Sequence, residues 1–477
     1  MKKLILMGLL TLSLTTYASE IEQLKEELKR QQEIIDQLHQ KVKQLQGQQE
    51  IAEKAREKLK KLHQSPIDKI LSNPFSQPKF LPDLSLILDF SYVSRNLTDK
   101  TYREVMIPGF NHGFFYSHED HGHSSPYNAE RGFNLNYGEL YLTHAVDPYF
   151  DLVGIFHLSE RGFEIEEGYF RTRGMPANLQ IKGGKFYSKF GRLNQFHHHY
   201  WDFVDAPLVY RAAFGEHNLL EKGAQITWLA PTPFYLLLGV EAFQGDNEYN
   251  FNRNGFIVNT KKDGTGTDIE VPDTKKPNLY TFFVKPSFDI GRTSILWGLS
   301  YAEGKTRINH LEDQDSPHAF AGNTKIYGLD LTVRYTLDSY RHITWQSEYI
   351  QRDVKGTGFG YNNLDNLVRP NLQREQSGFY SQVVYKFAPR WRAGARYDLI
   401  NKNDTFINGV NRNLPDNLYR YSAMIDFLPS EFSRIRIQYN YDKSLFLQDG
   451  TSFERKTNHE IILQFNIAIG AHGAHSF

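Results

Sequence analysis

The octapeptide Arg434-Ile435-Arg436-Ile437-Gln438-Tyr439-Asn440-Tyr441 decides the fold. Successive side chains of a β-strand point to opposite faces, so Ile435, Ile437, Tyr439 and Tyr441 share one face and the charged and amide residues share the other. The same alternation runs through Leu329-Asp330-Leu331-Thr332-Val333-Arg334-Tyr335 and Ala393-Gly394-Ala395-Arg396-Tyr397-Asp398. A soluble sandwich turns its apolar row to a core and decorates the other row lightly. Here the polar row carries Arg, Asp, Gln and Asn in strand after strand. That suits an all-β transmembrane barrel with lipid outside and water inside.

Working outward from this stretch, period-two segments fill the chain from residue 82 to its end, from 82–94 through 150–159, 293–302, 342–352 and 433–442 to 459–469. There are about 16 of them, antiparallel, an even number as a single-chain barrel requires. The connections test the count. Every second one is a tight turn: Asp147-Pro148, Met175-Pro176, Pro231-Thr232-Pro233, Ile290-Gly291, Asp338-Ser339, Ala388-Pro389 and Pro429-Ser430. The alternate ones, among them 95–131, 188–221 and 244–277, are nearly all long and polar, the connection near Glu160 to Gly162 being the short exception. A wrong strand count would break this phase, which predicts short periplasmic turns and long outer loops.

The chain has 477 residues, 14% of them aromatic, and Lys+Arg 55 against Asp+Glu 55 leaves a net charge of +0. That balance gives no electrostatic footprint for nucleic acid. With no cysteine there is no disulfide framework, and strand pairing must hold the fold. Residues 1–18, with Met1-Lys2-Lys3 before an apolar run, read as a signal peptide. Residues 19–62 read as a coiled-coil stalk. Ile21, Leu24, Leu28, Ile35, Leu38, Val42 and Leu45 fall on alternating spacings of three and four, with Gln31 at the one polar seam position. Residues 63–81 read as a linker too short for a lumen-filling plug, and 82–477 as the barrel.

Histidine is concentrated in three places. Gln195-Phe196-His197-His198-His199-Tyr200-Trp201 lies in the third outer loop, His118, His121 and His123 lie in the first, and His472 and His475 lie in the tail. Neutral imidazole binds zinc, and a carboxylate can complete the shell. Neighbours on an extended segment face opposite sides, so His197 and His199 are expected to share a face, with Asp202 or Asp205 beside them. These residues require no cofactor, and zinc is the metal they would suit.

Three resemblances follow from these motifs. The alternating Leu463–Ile469 strand with Phe477 at the end is similar to the carboxy-terminal segment of outer-membrane barrels. "IEEGYFRTRGMPANLQIKGGKFYSKFGRLNQ" resembles the phosphate-selective porin family. More narrowly, "GKFYSKFGRLNQFHHHYWDFVDAPLVYR", "WLAPTPFY" and "GAHGAHSF" resemble barrels labelled zinc-regulated outer-membrane proteins. In general porins the third loop folds inward and narrows the pore. The resemblance therefore nominates His197, His198, His199, Trp201, Asp202, Asp205, Arg211, Glu216 and His217 as constriction residues. Arg334, Arg396, Arg420, Arg434, Arg436, Glu348 and Asp398 fall on the inward row as candidate pore wall. Charges of both signs mix there, so no anion-selective ladder is evident.

The expectation is a porin in an outer membrane, passing small solutes or ions and possessing a zinc-binding capacity in its His-rich outer loops. Porin-like barrels usually form homotrimers, although the stalk seam by itself favours two strands. The stalk would stand in the periplasm and the wall against lipid. A metal-scavenging receptor and a structural envelope anchor are the alternatives. No motif for hydrolysis, phosphate cradling or redox chemistry is present, so no enzyme is expected.

Overall fold

The computed structural model describes residues 25–43, 82–110, 127–159, 162–215, 218–247, 250–313, 317–449 and 452–470. The chain divides into two units, Met1–Leu81 and Pro82–Phe477. In the first, residues 25–43 form a helix whose seam positions Leu28, Ile35, Leu38 and Val42 are all exposed. The expected signal peptide, the linker and the rest of the stalk lie outside the described residues, as do His118, His121, His123, Glu216, His217, His472 and His475.

The second unit is a closed antiparallel barrel of sixteen strands. They are β1 Asp83–Arg95, β2 Gly132–Ala145, β3 Phe150–Ser159, β4 Gly162–Thr172, β5 Leu179–Tyr187, β6 Leu220–Leu229, β7 Tyr235–Phe243 and β8 Leu279–Ile290, followed by β9 Thr293–His310, β10 His318–Thr336, β11 His342–Tyr361, β12 Asn371–Ala388, β13 Trp391–Ile407, β14 Leu418–Ser430, β15 Ser433–Asp449 and β16 Ser452–Gly470. Each pairs with its sequence neighbours, and β1 closes on β16 in a ladder from Ser85–Gly470 to Arg95–Glu460. Closure leaves no strand edge unpaired.

Strand β9 runs to His310 and β11 to Tyr361, well past the alternation that ended at 302 and 352. Beyond the apolar band both faces of a hairpin meet water, so the period lapses while the hydrogen-bond ladder continues. At the other end the turns are closed by their own side chains. Asp147 accepts from the N–H of Tyr149 and Phe150 at 2.7 and 2.8 Å, and Asp338 does the same for Tyr340 and Arg341.

The outward row is apolar and exposed, as at Leu299, Val383, Ile437 and Ile467. Aromatics bound it at both ends. Tyr301, Tyr327, Tyr397 and Tyr421 stack or abut toward the loops, and Tyr149, Tyr335, Trp391 and Phe432 lie toward the turns. The eight steps from Tyr327 to Tyr335 rise roughly 20 Å along a tilted strand. An apolar belt of that height between aromatic girdles is stable in hydrocarbon and unstable in water.

Val383 faces outward midway between Phe379 and Phe387 on β12. Val383→Arg should lower folding stability by roughly 2–4 kcal/mol in denaturant titrations of vesicle-inserted protein. Glu431→Lys, in an exposed turn, should stay within about 0.5 kcal/mol.

Candidate functional site

The connection between β5 and β6, residues 188–219, turns inward and fills the lumen. A segment brought inside a barrel carries backbone N–H groups that no ladder serves, and the wall supplies acceptors for them. Glu241 on β7 takes the N–H of Lys189 at 3.0 Å, and Ser300 on β9 takes that of Gly191 at 3.0 Å. Glu348 on β11 takes Arg192 and Leu193 at 2.7 and 2.9 Å, together with the hydroxyls of Tyr210 and Tyr380. Gly191 has φ +61°, and a Cβ there would collide with the Tyr210 hydroxyl and Glu348. Glu348 is therefore an anchor for the loop rather than an open stretch of pore wall.

A short helix, α1 Leu208–Phe214, ends at Gly215 in a positive-φ cap. It packs on inward-facing Ile350, Tyr380, Ile400 and Leu418, with Ile107 and Phe110 of the first outer loop in the same cluster. This apolar pad was not expected of a water-filled lumen. Its signal was present in the sequence as adjacent apolar pairs that break the alternation, such as Tyr349-Ile350 and Leu399-Ile400.

Farther along, the loop meets an arginine bank on β13–β15. Asp205 receives Arg396 Nη2 at 2.9 Å and Arg420 Nη1 at 2.5 Å, and both guanidinium groups also reach Asp398. Asp202 pairs with Arg392 at 2.7 Å, and Arg392 continues to Asp426, which holds Arg436 through two bonds of 2.7 and 2.9 Å. Arg434 and Arg436 donate to the carbonyl of Trp201 at 3.3 and 3.1 Å. Trp201, Asp202 and Asp205 of the loop and Arg396, Asp398, Arg420, Arg434 and Arg436 of the wall are thus held together by docking contacts. Asp202 and Asp205 do not join the histidines, because permanent guanidinium charges offer them charge-assisted partners. Arg334 lies apart at the turn end, 3.4 Å from His342 Nδ1.

Burial alone would raise the pKa of Asp205, but Arg420 and Arg396 outweigh it and hold the carboxyl below its ordinary range. The bond network is then present above the unfolded-state pKa of about 3.9 and is lost only as pH falls through the lower folded value.

The three histidines split. His198 hydrogen-bonds the Val204 carbonyl at 2.5 Å and stacks on Tyr127, with ring centres 4.2 Å apart. His197 and His199 turn the other way, to Glu139 on β2 at 3.2 and 3.4 Å. His197 also meets Glu166 at 3.1 Å and Glu167 at 2.8 Å, both on β4, and His157 on β3 meets Glu166 at 2.6 Å. Glu139, Glu167 and His157 were not singled out in the sequence. Glu166 is the extra residue of a bulge, opposite Ile155 and Phe156, so Glu166 and Glu167 both turn inward where alternation would separate them.

Among the described residues the loop leaves a cavity of about 40 Å³ beside it. Tyr102, Asp205, Arg211, Arg420, Asp442 and Glu460 are in its lining, which holds room for a few water molecules.

No family model matches the chain. An "Uncharacterized protein" of Aquifex aeolicus (strain VF5) is 52% identical over 405 residues, which span 85% of this chain and 82% of that protein, and the chain belongs to the same family. Solved structures similar in outline include OmpT of Vibrio cholerae, 11% identical with TM-score 0.45 over 81% of this chain and 97% of that one. OprB of Pseudomonas putida is 12% identical with TM-score 0.45 over 82% and 95%. An anion-selective porin from Comamonas acidovorans is 9% identical with TM-score 0.43 over 81% and 99%. The strand pairing itself carries the barrel assignment.

Asp205→Asn should release the loop. Losing the carboxylate leaves Arg396 and Arg420 short of charge compensation, at roughly 3–5 kcal/mol for a buried pair. Hydrogen exchange at residues 201–208 should rise in the variant at pH 7, while the wild type holds its protection down to about pH 4. Equal exchange in the two proteins would disprove the latch.

Proposed function

We propose that the chain is a passive porin-type channel of an outer membrane, in which loop 188–219 sets the width of the passage. The supporting observation is that the loop is laid against the lumenal wall and tied to it on several sides, with a small polar opening beside it among the described residues. Small polar solutes and ions, zinc among them, fit that opening. Asp205, Asp442 and Glu460 face Arg211 and Arg420 around it, so the proposed channel has weak charge preference. The same balance argues against the strong anion selectivity that a likeness to phosphate-selective porins would suggest.

The channel is proposed to work as a homotrimer, its lipid-facing wall in the bilayer and residues 19–62 a coiled-coil stalk in the periplasm. The exposed apolar seam of helix 25–43 favours a partner helix, since an apolar stripe is stable only when covered. No enzymatic step is proposed. His118, His121 and His123, which a metal-scavenging receptor would use, lie outside the described residues.

Planar-bilayer recording tests the proposal. Wild-type protein should give small, stepwise conductance with a reversal potential close to zero in a salt gradient. Arg211→Glu should shift that potential toward cation preference, and Asp205→Asn should enlarge the step. Absence of any stepwise conductance from folded protein would refute the channel.

A further inference from the structure

We propose that Glu139, Glu166 and His197, with His157 and His199 packed around them, form a buried site for one divalent transition-metal ion that staples the lumenal loop to strands β2–β4. The donors come from four separate parts of the chain and all five side chains are buried. Glu139, Glu166 and His197 bring one ligand atom each within 4.8 Å of one another. His197 Nδ1 lies 3.2 Å from Glu139 Oε2 and 3.1 Å from Glu166 Oε2, His199 Nδ1 lies 3.4 Å from Glu139 Oε2, and His157 Nε2 lies 3.5 Å from the same oxygen. Tetrahedral ligands about 2.0–2.1 Å from zinc are separated by roughly 3.3 Å, so these spacings match the edges of a coordination shell. His157 Nε2 and Glu166 Oε2 lie 2.6 Å apart without the alignment of a hydrogen bond.

The surroundings are built to hold the donors still. Glu167 Oε2 takes the far nitrogen of His197 at 2.8 Å, the carboxylate–histidine arrangement that orients a metal-bound imidazole. Tyr187 donates its hydroxyl to Glu166 Oε1 at 2.7 Å and its backbone N–H to Glu167 Oε1 at 2.9 Å. The Tyr137 ring stacks on His157 with centres 4.7 Å apart. Bulges flank the site on both sides. Asn136 is the extra residue against β1, and Glu166 the extra residue against β3. A divalent cation would also offset the charge of the two ligand carboxylates, which burial otherwise penalises. Nitrogen and oxygen donors without sulfur suit zinc and its neighbours, and cobalt as a spectroscopic substitute.

This site draws on the third-loop histidines, not on the first-loop or tail tracts, and does not depend on the channel reading. Only its effect on conduction does. Full-length protein, folded and dialysed against metal-free buffer, should bind one equivalent of zinc by elemental analysis, and cobalt should give the intense visible bands of a tetrahedral site. His197→Ala and Glu166→Gln should abolish both signals, whereas a His118, His121, His123 triple alanine variant should keep them. Glu167→Gln, which leaves every ligand in place, should weaken zinc binding by about 10- to 100-fold. Heat-modifiable gel migration reports whether each variant is folded. If a ligand variant fails to fold, X-ray absorption of the zinc-loaded wild type decides, with mixed imidazole and carboxylate ligation expected. No tight zinc or cobalt in the wild type, or metal retained by both ligand variants, would overturn the site. Conductance that changes on chelation supports the staple's influence on the passage. Metal bound with conductance absent would instead refute the channel while leaving the site standing.

Discussion

Backbone amides brought inside a barrel have to be given acceptors, and that constraint organises this molecule. A strand satisfies its neighbours through the ladder, but residues 188–219 leave the ladder and enter the lumen. Glu241, Ser300, Glu348, Asp398 and Gln438 meet their N–H groups from five strands around the wall. Leaving such a group unpaired costs about 1–3 kcal/mol, so the inward row is as much a socket for the loop as a surface for solutes. The apolar pad around Ile350, Ile400 and Leu418 completes the socket by burying α1.

The electrostatics follow from the same docking. Arg392, Arg396, Arg420 and Arg436 stand against Asp202, Asp205, Asp398 and Asp426, and two of those aspartates belong to the loop. Charges that face each other at 2.5–3.2 Å cancel over short distances and project little field along the axis. A row of arginines that looks like an ion ladder in one strand is therefore largely spent on holding a loop. The sign of the wall cannot be judged without the segment that lies on it.

Strand positions and phase were legible because lipid on one side and polar lumen on the other impose period two, and β3 at 150–159 has the boundaries the alternation predicts. The outer reaches of β9 and β11 were not, since water on both faces removes the period. For the site, His197 and His199 were expected to share a face on an extended backbone, whereas His198–Tyr200 forms a 3-10 turn. Their partners were not legible. Asp202 and Asp205 are near in sequence, yet arginines on strands far along the chain bind them more strongly. Glu139, His157 and Glu166 converge only through register and a bulge, which no single segment reveals.

The seam between β1 and β16 joins residues 85–95 to residues 460–470, nearly the widest sequence separation the barrel offers. Loop-closure entropy disfavours so distant a pairing until the intervening strands have formed. By then residues 188–219 and every strand that anchors them already exist. The loop is enclosed by the wall as it curls, like a spring seated before a lid is fitted, and need not be threaded through a finished mouth. Its carboxylate and guanidinium contacts, spread over both halves of the sheet, then help to draw the two free edges together.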